Sequence, residues 1–452
     1  MKNIIRSAAC ALVVAFIALS VSLTSCSKSG EGSKTETDSL QVKTFIDQMM
    51  RQFYYWADLM PSSVNKKGNS VEDYFNSLLV RKDRWSWMMN GETYNAMETG
   101  ITTSYGFHIS QPIDYFGDYD VYITYVDKNS PLGKAGVTRG WRLAKMNGTD
   151  VETLIRNDRF YDELYKPSNK FTFDKPDGTS VDLNLSQVSF QTNSVSMTKI
   201  FTSADCDKLS SSAKVGYILF NTFNSTMKSE IVSALDQMKS SGVTDLILDL
   251  RYNGGGDLDV CGDMAGLLAP ASADGKVFLT LEHNLANKEE DHSYYIKRSA
   301  KSLDLSRLFV ITGSGTASAS ESLINCLNPY MDIQTVGGQT YGKPNGMYVF
   351  YYPQKVAQKY IDYAFLPICF YCMNSQGKAD FDNGIVPMQK RYDDLYHDFS
   401  ADEDLIKACL VYIGTGKYPG LPAKSVTKSA PGNITKKLRL DDGFKGAYVK
   451  KY

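Results

Sequence analysis

The sequence predicts a mixed α/β protein with three consecutive parts: a small helical N-terminal subdomain, a β-rich domain and a larger α/β core. Three observations predict this order. Apolar residues recur at helical steps after residue 40, short strands with Gly-containing turns follow from about residue 100, and buried-type strands alternate with helices from about residue 215. The 452 residues are enough for two or three hydrophobic cores.

The overall composition is that of an ordinary globular protein. Hydrophobic residues make up 43% of the chain and charged residues 22%. The 49 basic and 50 acidic residues leave a net charge of −1, and no long basic run is present. We therefore expect no nucleic-acid partner, and the sequence does not indicate an oligomeric state.

Residues 1–25 are predicted to be an export signal rather than part of the fold. Lys2 and Arg6 precede an apolar run over residues 8–23. The Leu-Thr-Ser-Cys sequence ending at Cys26 resembles the lipobox of bacterial lipoproteins, which implies cleavage before Cys26 and acylation of its thiol. An uncleaved anchor and a signal cut without lipidation are the alternatives, although the run is short for a bilayer span of ~20 residues. Residues 26–39 are rich in Ser, Gly, Lys and Glu and predict a flexible tether.

Residues 40–98 are predicted to form the helical subdomain. Apolar residues from Val42 to Phe53 follow a helical spacing. A second helix is expected after Ser70, because Ser70 and Asp73 make a start similar to a capping box. The aromatic residues around these helices are expected in the core rather than on a ligand platform.

Short strands and turns fill residues 99–195. A strand around Ile123, a helical stretch near Leu154 and a hairpin closed after Lys175 occur in an order that resembles a PDZ domain. Tyr105-Gly106-Phe107 falls where such domains place the loop whose backbone amides hold the C-terminal carboxylate of a peptide. The alternative is a PDZ-like fold whose groove is closed or that acts only as a lid.

Two strand-to-helix junctions in the core, residues 196–415, contain the candidate chemistry. The first is glycine-rich, so the amides of Gly255 and Gly256 can face one point at a helix start; a phosphate loop or a tight turn is the alternative. The second places Ser318 at a helix N-terminus, followed by the amide of Ala319. One interpretation is a nucleophilic serine with these amides as an oxyanion hole, and the other is an N-cap serine.

Three motifs in order carry a family resemblance: DLRYNGGG at 249–256, TASASE at 316–321 and GGQTYGK at 337–343. Together they resemble the tail-specific, C-terminal-processing serine peptidases, whose cores look like ClpP and crotonase and follow a PDZ domain. In that family the middle serine of the SASASE-like motif is the nucleophile and the lysine of the downstream Gly-Lys pair is its base. The resemblance therefore implies these roles for Ser318 and Lys343. It covers roughly residues 100–390, including 377–387, which resemble the family's closing strand segment.

A lysine can take the serine proton only as a neutral amine, so its pKa has to fall. Burial without a carboxylate partner has this effect, and Tyr341 and Met347 suit such burial. Met347 stands where many relatives have a glutamine that orients the lysine, and Gly338 stands where a glutamate is usual. Asn345 or a nearby serine is the candidate substitute for that glutamine.

The expected function is a serine endopeptidase that cuts exported proteins or peptides with Ser318 and Lys343 and needs no cofactor or metal. The PDZ-like domain would recognise free substrate C-termini or gate the site. Lipid on Cys26 would hold the protein at the bacterial cell envelope, in the periplasm or at the outer membrane. The alternative function is a catalytically inactive, PDZ-type peptide-binding lipoprotein.

Cysteines and histidines are expected to have no catalytic part. Cys369 and Cys372 form a CxxC pair that would suit a redox or metal site, but they lie in an apolar run where buried thiols are expected. The four histidines, none beside a catalytic motif, are expected on the surface or in loops; they are His108, His283, His292 and His397. Residues 416–452 are predicted to be a tail without recognisable chemistry.

Overall fold

A computed structural model describes residues 36–109, 113–115, 118–353, 362–421 and 446–449. The chain is mixed α/β, as predicted. The predicted signal segment, Cys26 and most of the tether lie outside the described residues. None of the helices in the described ranges combines the length and the apolar character needed to cross a bilayer.

Helices occur in all three parts of the described chain. They are α1 (Glu36–Phe53), α2 (Val71–Leu78), α3 (Gly91–Thr99), α4 (Pro131–Lys134), α5 (Val151–Arg156), α6 (Phe160–Leu164), α7 (Lys228–Ser240), α8 (Leu258–Leu268), α9 (Ala319–Leu327) and α10 (Asp404–Thr415).

The strands of the N-terminal and β-rich parts are β1 (Trp87–Asn90), β2 (Ile101–Ser104), β3 (Phe107–Ile109), β4 (Ile113–Tyr115), β5 (Asp118–Asp120), β6 (Ile123–Val126), β7 (Arg142–Met146), β8 (Thr149–Asp150), β9 (Ser168–Asp174), β10 (Ser180–Ser186) and β11 (Val188–Gln191). The strands that follow are β12 (Val195–Phe201), β13 (Val215–Phe220), β14 (Asp245–Asp249), β15 (Gly255–Asp257), β16 (Val277–His283), β17 (His292–Tyr295), β18 (Arg307–Thr312), β19 (Asp332–Gly337), β20 (Asn345–Tyr348), β21 (Phe350–Tyr352), β22 (Tyr363–Leu366), β23 (Ile368–Asn374), β24 (Gln389–Lys390) and β25 (Gly446–Val449).

The two predicted N-terminal helices are confirmed as α1 and α2. Ser70 caps α2, because its hydroxyl accepts a 2.9 Å hydrogen bond from the Asp73 N–H. Strand β1 then pairs antiparallel with β22, which comes from the core. The helices bury their apolar faces in the same large cluster as that core, so the N-terminal part packs directly on it.

The β-rich part has its own apolar cluster, built around Phe171 and Phe173. The predicted hairpin is confirmed: β9 and β10 pair antiparallel, with Val181 opposite Phe173. Strands β7 and β8 extend this sheet to four strands in the order β10-β9-β7-β8. Strand β3, which begins at Phe107, pairs with β6.

Two six-stranded sheets form the core. The first core sheet has the order β12-β13-β14-β18-β19-β24, with parallel pairing except between β12 and β13. Its strands are buried on both faces: Leu246 and Leu248 join the cluster under α7, α8 and α9, while Ile247 joins the cluster under α10. The second core sheet has the order β15-β25-β20-β23-β16-β17.

Two segments differ from the sequence-based expectation. Residues 377–387, expected to contain a closing strand, contain no regular strand. Residues 446–449, placed in a tail without recognisable chemistry, form β25 inside the second core sheet. Neither difference is visible locally, because a strand this short is defined by its partners rather than by its own sequence.

Candidate active site

Ser318 sits at the junction between the first core sheet and α9. Strand β18 ends at Thr312, and α9 begins directly after the serine. The Ser318 backbone has φ 60° and ψ −112°, a strained conformation for a non-glycine residue that has to be held by its surroundings. Its hydroxyl is fully buried and has no hydrogen-bond partner within the described part of the chain. The serine is therefore held in place through its backbone while its hydroxyl stays free.

The loop before Ser318 is tied to the glycine-rich loop after β14. The Ala317 N–H donates to the Asn253 carbonyl at 3.0 Å, and the Ser320 hydroxyl donates to the same oxygen at 3.1 Å. The Thr316 hydroxyl donates to the Leu250 carbonyl at 2.7 Å. The two junctions singled out in the sequence thus form one rigid unit.

The predicted oxyanion donors lie close together, but one of them is already engaged. A Cβ atom built on Gly255 would lie 3.0 Å from the Ala319 nitrogen, so only glycine permits this approach. Ala319 is the first residue of α9, where an N–H has no acceptor within the helix. The Gly255 N–H donates to Asn253 Oδ1 at 2.9 Å, and Gly256 lies opposite Ala447 in the second core sheet. In this conformation Ala319 is the donor best placed to be free, whereas Gly255 is not free.

Lys343 is fully buried on the other side of the site. Its Nζ atom donates to Asn345 Oδ1 at 3.1 Å and contacts the Asn345 carbonyl at 3.4 Å. Burial lowers the pKa of Lys343 to about 7, and the charges of Asp83 and Glu321 only partly oppose this effect. The amine is therefore held by an uncharged amide and is available in its neutral form near neutral pH.

One carboxylate joins the serine to the lysine. Glu321 Oε2 accepts 2.8 Å hydrogen bonds from the N–H groups of both Ser318 and Lys343. The two backbone nitrogens are thus no further apart than twice that distance. Oε1 accepts from the Gly342 N–H at 2.7 Å and from the Thr340 hydroxyl. Burial raises the pKa of Glu321, while these hydrogen bonds act in the opposite direction.

The lysine loop is also held by the N-terminal part of the chain. Trp85 Nε1 donates to the Gly342 carbonyl at 3.1 Å, and Arg84 Nη2 donates to the same oxygen at 2.9 Å. Gly342 has φ 89°, and a Cβ atom there would lie 2.3 Å from the Asp382 carbonyl oxygen. The segment between α2 and β1 therefore helps to fix the position of Lys343.

An ion cluster in which Arg139, Arg251 and Glu403 are buried and Asp393 is partly exposed connects the β-rich part to the glycine-rich loop. Arg139 donates to the Tyr252 hydroxyl and to Asp393, each at 2.6 Å. Arg251 donates to Asp393 at 2.7 Å and to Glu403 at 2.6 Å. Burial alone would raise the pKa of Asp393, but the two guanidinium groups lower it to about 2. Since Arg251 and Tyr252 lead directly into Asn253, the cluster supports the loop that faces the serine.

The predicted carboxylate-binding loop is a tight bend in the β-rich part. Gly106 has φ 81°, and a Cβ atom there would collide with Ser130. The Gly106 N–H donates to Ser104 Oγ at 3.2 Å, and the Tyr105 hydroxyl donates to the Lys166 carbonyl. Phe107 follows as the first residue of β3. The bend therefore leaves the Gly106 amide engaged by Ser104, and its role in holding a carboxylate stays a prediction.

The cysteines in the described ranges form no disulfide bonds, and no metal site is apparent among the described residues. None of the six described cysteines forms a disulfide within the described ranges, and Cys369 and Cys372 are both buried in β23. No group of three or more metal-binding side chains occurs within the described ranges. The expectation for His283 was wrong: this histidine is buried, and its ring bonds to the Tyr348 hydroxyl at 2.8 Å and to Asp291 at 3.2 Å.

Sequence reasoning missed the part played by Glu321. The signal was present, since Ser318 and Glu321 have the S-x-x-E spacing of a capping box, in which the acid accepts from the N-cap N–H. Nothing in that spacing shows that the same carboxylate also accepts from Gly342 and Lys343.

Comparison with known proteins gives a consistent result. Residues 214–370 match the model of peptidase family S41, and residues 41–87 match the peptidase S41 N-terminal domain. The chain is 22% identical over 316 residues to the "Probable CtpA-like serine protease" of Staphylococcus aureus (strain COL), with 69% of this chain and 58% of that protein covered. It is 23% identical over 327 residues to the "Carboxy-terminal processing protease CtpA" of Bacillus subtilis (strain 168), with 70% and 62% covered.

This chain therefore spans roughly three fifths of the length of these two relatives. Among solved structures, a Bacteroides fragilis protein classified as an S41 protease matches with a TM-score of 0.66 at 24% identity, over 82% of this chain and 97% of that one. At this identity the structural match establishes a shared fold.

Proposed function

We propose that this chain, which matches the models of peptidase family S41 over residues 214–370 and of the S41 N-terminal domain over residues 41–87, is a serine endopeptidase in which Ser318 is the nucleophile and Lys343 the general base. The observation that carries the proposal is the Glu321 carboxylate. It accepts from the N–H groups of both residues and so holds the backbone of the strained serine close to the backbone of the buried lysine. A structural N-cap serine needs neither the strained φ of Ser318 nor a buried lysine whose pKa is lowered to about 7.

The chemistry follows from the groups present. Ser318 Oγ attacks the carbonyl carbon of a peptide bond while Lys343 Nζ takes its proton. The resulting oxyanion accepts from the Ala319 N–H, a contribution of about 3 kcal/mol to the barrier in comparable sites. Lys343 then protonates the leaving amine, and water hydrolyses the acyl-enzyme. In the present conformation Lys343 donates to Asn345 instead, and a substrate would draw the amine toward the serine.

A fluorophosphonate probe tests the nucleophile. We expect the probe to label the wild-type protein at Ser318, with a labelling rate that rises with pH through a midpoint near 7, the pKa of Lys343. The Ser318→Ala variant should not be labelled, and Ser320→Ala serves as the matched control that should be. Equal labelling of the wild type and Ser318→Ala, or labelling of neither, contradicts the proposal and favours an inactive peptide-binding protein.

We also propose that the β-rich part is a PDZ-like module that recognises free substrate C-termini or gates the site. The tight bend at Gly106 and the following strand β3 support this reading, since such a loop can hold a carboxylate while a peptide extends the sheet. A peptide substrate and its C-terminally amidated form give the test. Recognition of the carboxylate predicts that amidation raises KM at least about tenfold. Equal KM values would leave only the gating role.

For localisation, we propose export and lipid anchoring at Cys26, with the protein held at the cell envelope. The support is the sequence around Cys26, which resembles a lipobox. Expression in a bacterial host with a labelled fatty acid should label the wild type and leave Cys26→Ser unlabelled. A wild-type protein that carries no label and is not found in the membrane fraction would instead indicate a signal cut without lipidation.

A further inference from the structure

The gap between β15 and β20 is filled by a strand from far along the chain. Strand β25 pairs in parallel with both neighbours. Gly446 lies opposite Gly255, and Tyr448 lies opposite both Asp257 and Met347. Among the described strands, β25 is the neighbour that joins β15 to the rest of the second core sheet. Without β25, two strand edges would face each other across a slot one strand wide.

This slot lies between the two halves of the proposed catalytic machinery. Strand β15 begins at Gly255, beside the Ala319 nitrogen, and β20 begins at Asn345, which holds the Lys343 amine. A Cβ atom built on Gly255 would lie 2.8 Å from the Gly446 carbonyl oxygen and 3.0 Å from the Ala319 nitrogen. A backbone carbonyl of β25 therefore lies next to the proposed oxyanion donor.

The site is closed in this conformation. Ser318 and Lys343 are both 0% exposed, and so is Ala447 of β25. A substrate carbonyl cannot reach the Ser318 hydroxyl until some element moves. Strand β25 is a candidate for that movement, since it is held at this position by two short ladders and lies directly beside the oxyanion donor.

The side chains of β25 show what the slot accepts. Gly446 and Ala447 lie opposite Gly255 and Gly256, where two backbones approach closely and leave room only for small residues. Tyr448 is 2% exposed, and its hydroxyl donates to Glu98 Oε1 at 3.3 Å. The slot thus combines a narrow part for small residues with an aromatic position that has a hydrogen-bond acceptor.

We propose that this slot is the binding site for an extended peptide strand, and that residues 446–449 occupy it as an internal competitor that must leave before a substrate binds. The proposal rests on the peptidase function proposed above and adds the ligand class. That ligand is a peptide segment running parallel to β15, with a small residue opposite Gly255 and an aromatic residue two positions later. Ladder hydrogen bonds would supply affinity that depends little on sequence.

The first test uses the unaltered full chain and a synthetic peptide of residues 444–452, Phe-Lys-Gly-Ala-Tyr-Val-Lys-Lys-Tyr. Because an internal strand has a high effective concentration, the peptide is added at about millimolar concentration. We expect it to speed hydrogen exchange at the amides of residues 447–449, while the amides of β23 stay protected. Exchange at 447–449 that does not respond to the peptide would overturn the proposal.

The second test weakens the anchor of the strand. Tyr448→Ala should be labelled by the fluorophosphonate about tenfold faster than wild type, because the open form becomes more populated. Tyr448→Phe keeps the buried ring and removes the hydroxyl that contacts Glu98, so it should be labelled at close to the wild-type rate. A lower melting temperature for Tyr448→Ala without faster labelling would show that β25 is only a structural strand.

The two proposals fail in different ways. If the added peptide displaces β25 but no form of the protein is labelled at Ser318, the peptidase proposal fails and the strand site remains. If Ser318 is labelled but neither the peptide nor Tyr448→Ala changes β25 exchange or labelling, the peptidase remains and the strand site is wrong. Repeating the exchange experiment with Ser318→Ala removes any consumption of the peptide.

Discussion

Replacing Lys343 with methionine is expected to slow peptide hydrolysis and fluorophosphonate labelling by about 10³-fold while making the folded protein more stable at neutral pH. The loss follows because the proposed mechanism assigns removal of the Ser318 proton to the Lys343 amine. The gain follows because a buried amine whose pKa is lowered to about 7 is unfavourable in the folded state. Methionine has a similar length and no charge, so it keeps the packing.

The pH dependence of that gain has a definite sign. The unfolded chain, with a lysine pKa near 10.4, binds more protons than the folded chain between about pH 7 and 10.4, so wild-type stability rises with pH across this window. Lys343→Met should therefore be more stable than wild type by on the order of 3 kcal/mol at pH 7 and below, with the advantage shrinking toward pH 10. Urea unfolding at several pH values measures this difference.

Asn345→Asp is the matched variant for the same prediction. It places a carboxylate against the Lys343 amine, which should raise the lysine pKa and move the midpoint of the pH–rate profile upward by at least about one unit. Labelling should then be slow at pH 7 and recover near pH 9. An unchanged profile in Asn345→Asp, or a Lys343→Met variant that is both active and less stable, would contradict the assignment of the base.

Replacing Glu321 with alanine is expected to destabilise the protein by about 3 to 5 kcal/mol and to reduce labelling of Ser318 more than tenfold. The carboxylate accepts from the N–H groups of Ser318, Gly342 and Lys343, and these buried donors would lose their acceptor together. The strained backbone of Ser318 would also lose one of its restraints. Denaturant unfolding and the labelling rate measure the two effects.

Glu321→Gln is the matched control for this prediction. Glutamine keeps the shape of the side chain but has one acceptor oxygen. That oxygen can accept from Ser318 and Lys343 or from Gly342, but not from both sets, and the NH₂ group would face the N–H donors that remain. Its effects should fall between those of wild type and Glu321→Ala. If Glu321→Ala were as stable as wild type and labelled at the same rate, the carboxylate would have no part in holding the site together.

Much of the fold follows from local patterns. The hydrophobic periodicity predicted α1, α2 and the alternating strands and helices of the core, and Ser70 marked the start of α2 correctly. These elements could be predicted because they bury one face of a regular structure, which leaves a repeat in the sequence. The glycines at 254–256 were expected to lead from a strand directly into a helix, yet Gly255 and Gly256 belong to β15, because β25 supplies a pairing partner.

In the candidate site, too, some features were predicted from the sequence and others appeared only in the structure. Ser318, Lys343, Ala319 and the glycines were identified from motifs, and burial of Lys343 was expected from its apolar neighbours. The engagement of Gly255 by Asn253 and the buried ring of His283 were not expected, since both depend on what lies next to the residue in space.

The sequence by itself determined which residue types are available, where the most regular helices and strands lie, and that a serine follows a buried strand at the start of a helix. Only the tertiary structure decided that Glu321 accepts from both Ser318 and Lys343, which is 22 residues further along, and that β25 lies between β15 and β20. The physical reason is that a side chain's burial and hydrogen-bond partners come from segments distant in the chain, and these set its pKa and reactivity.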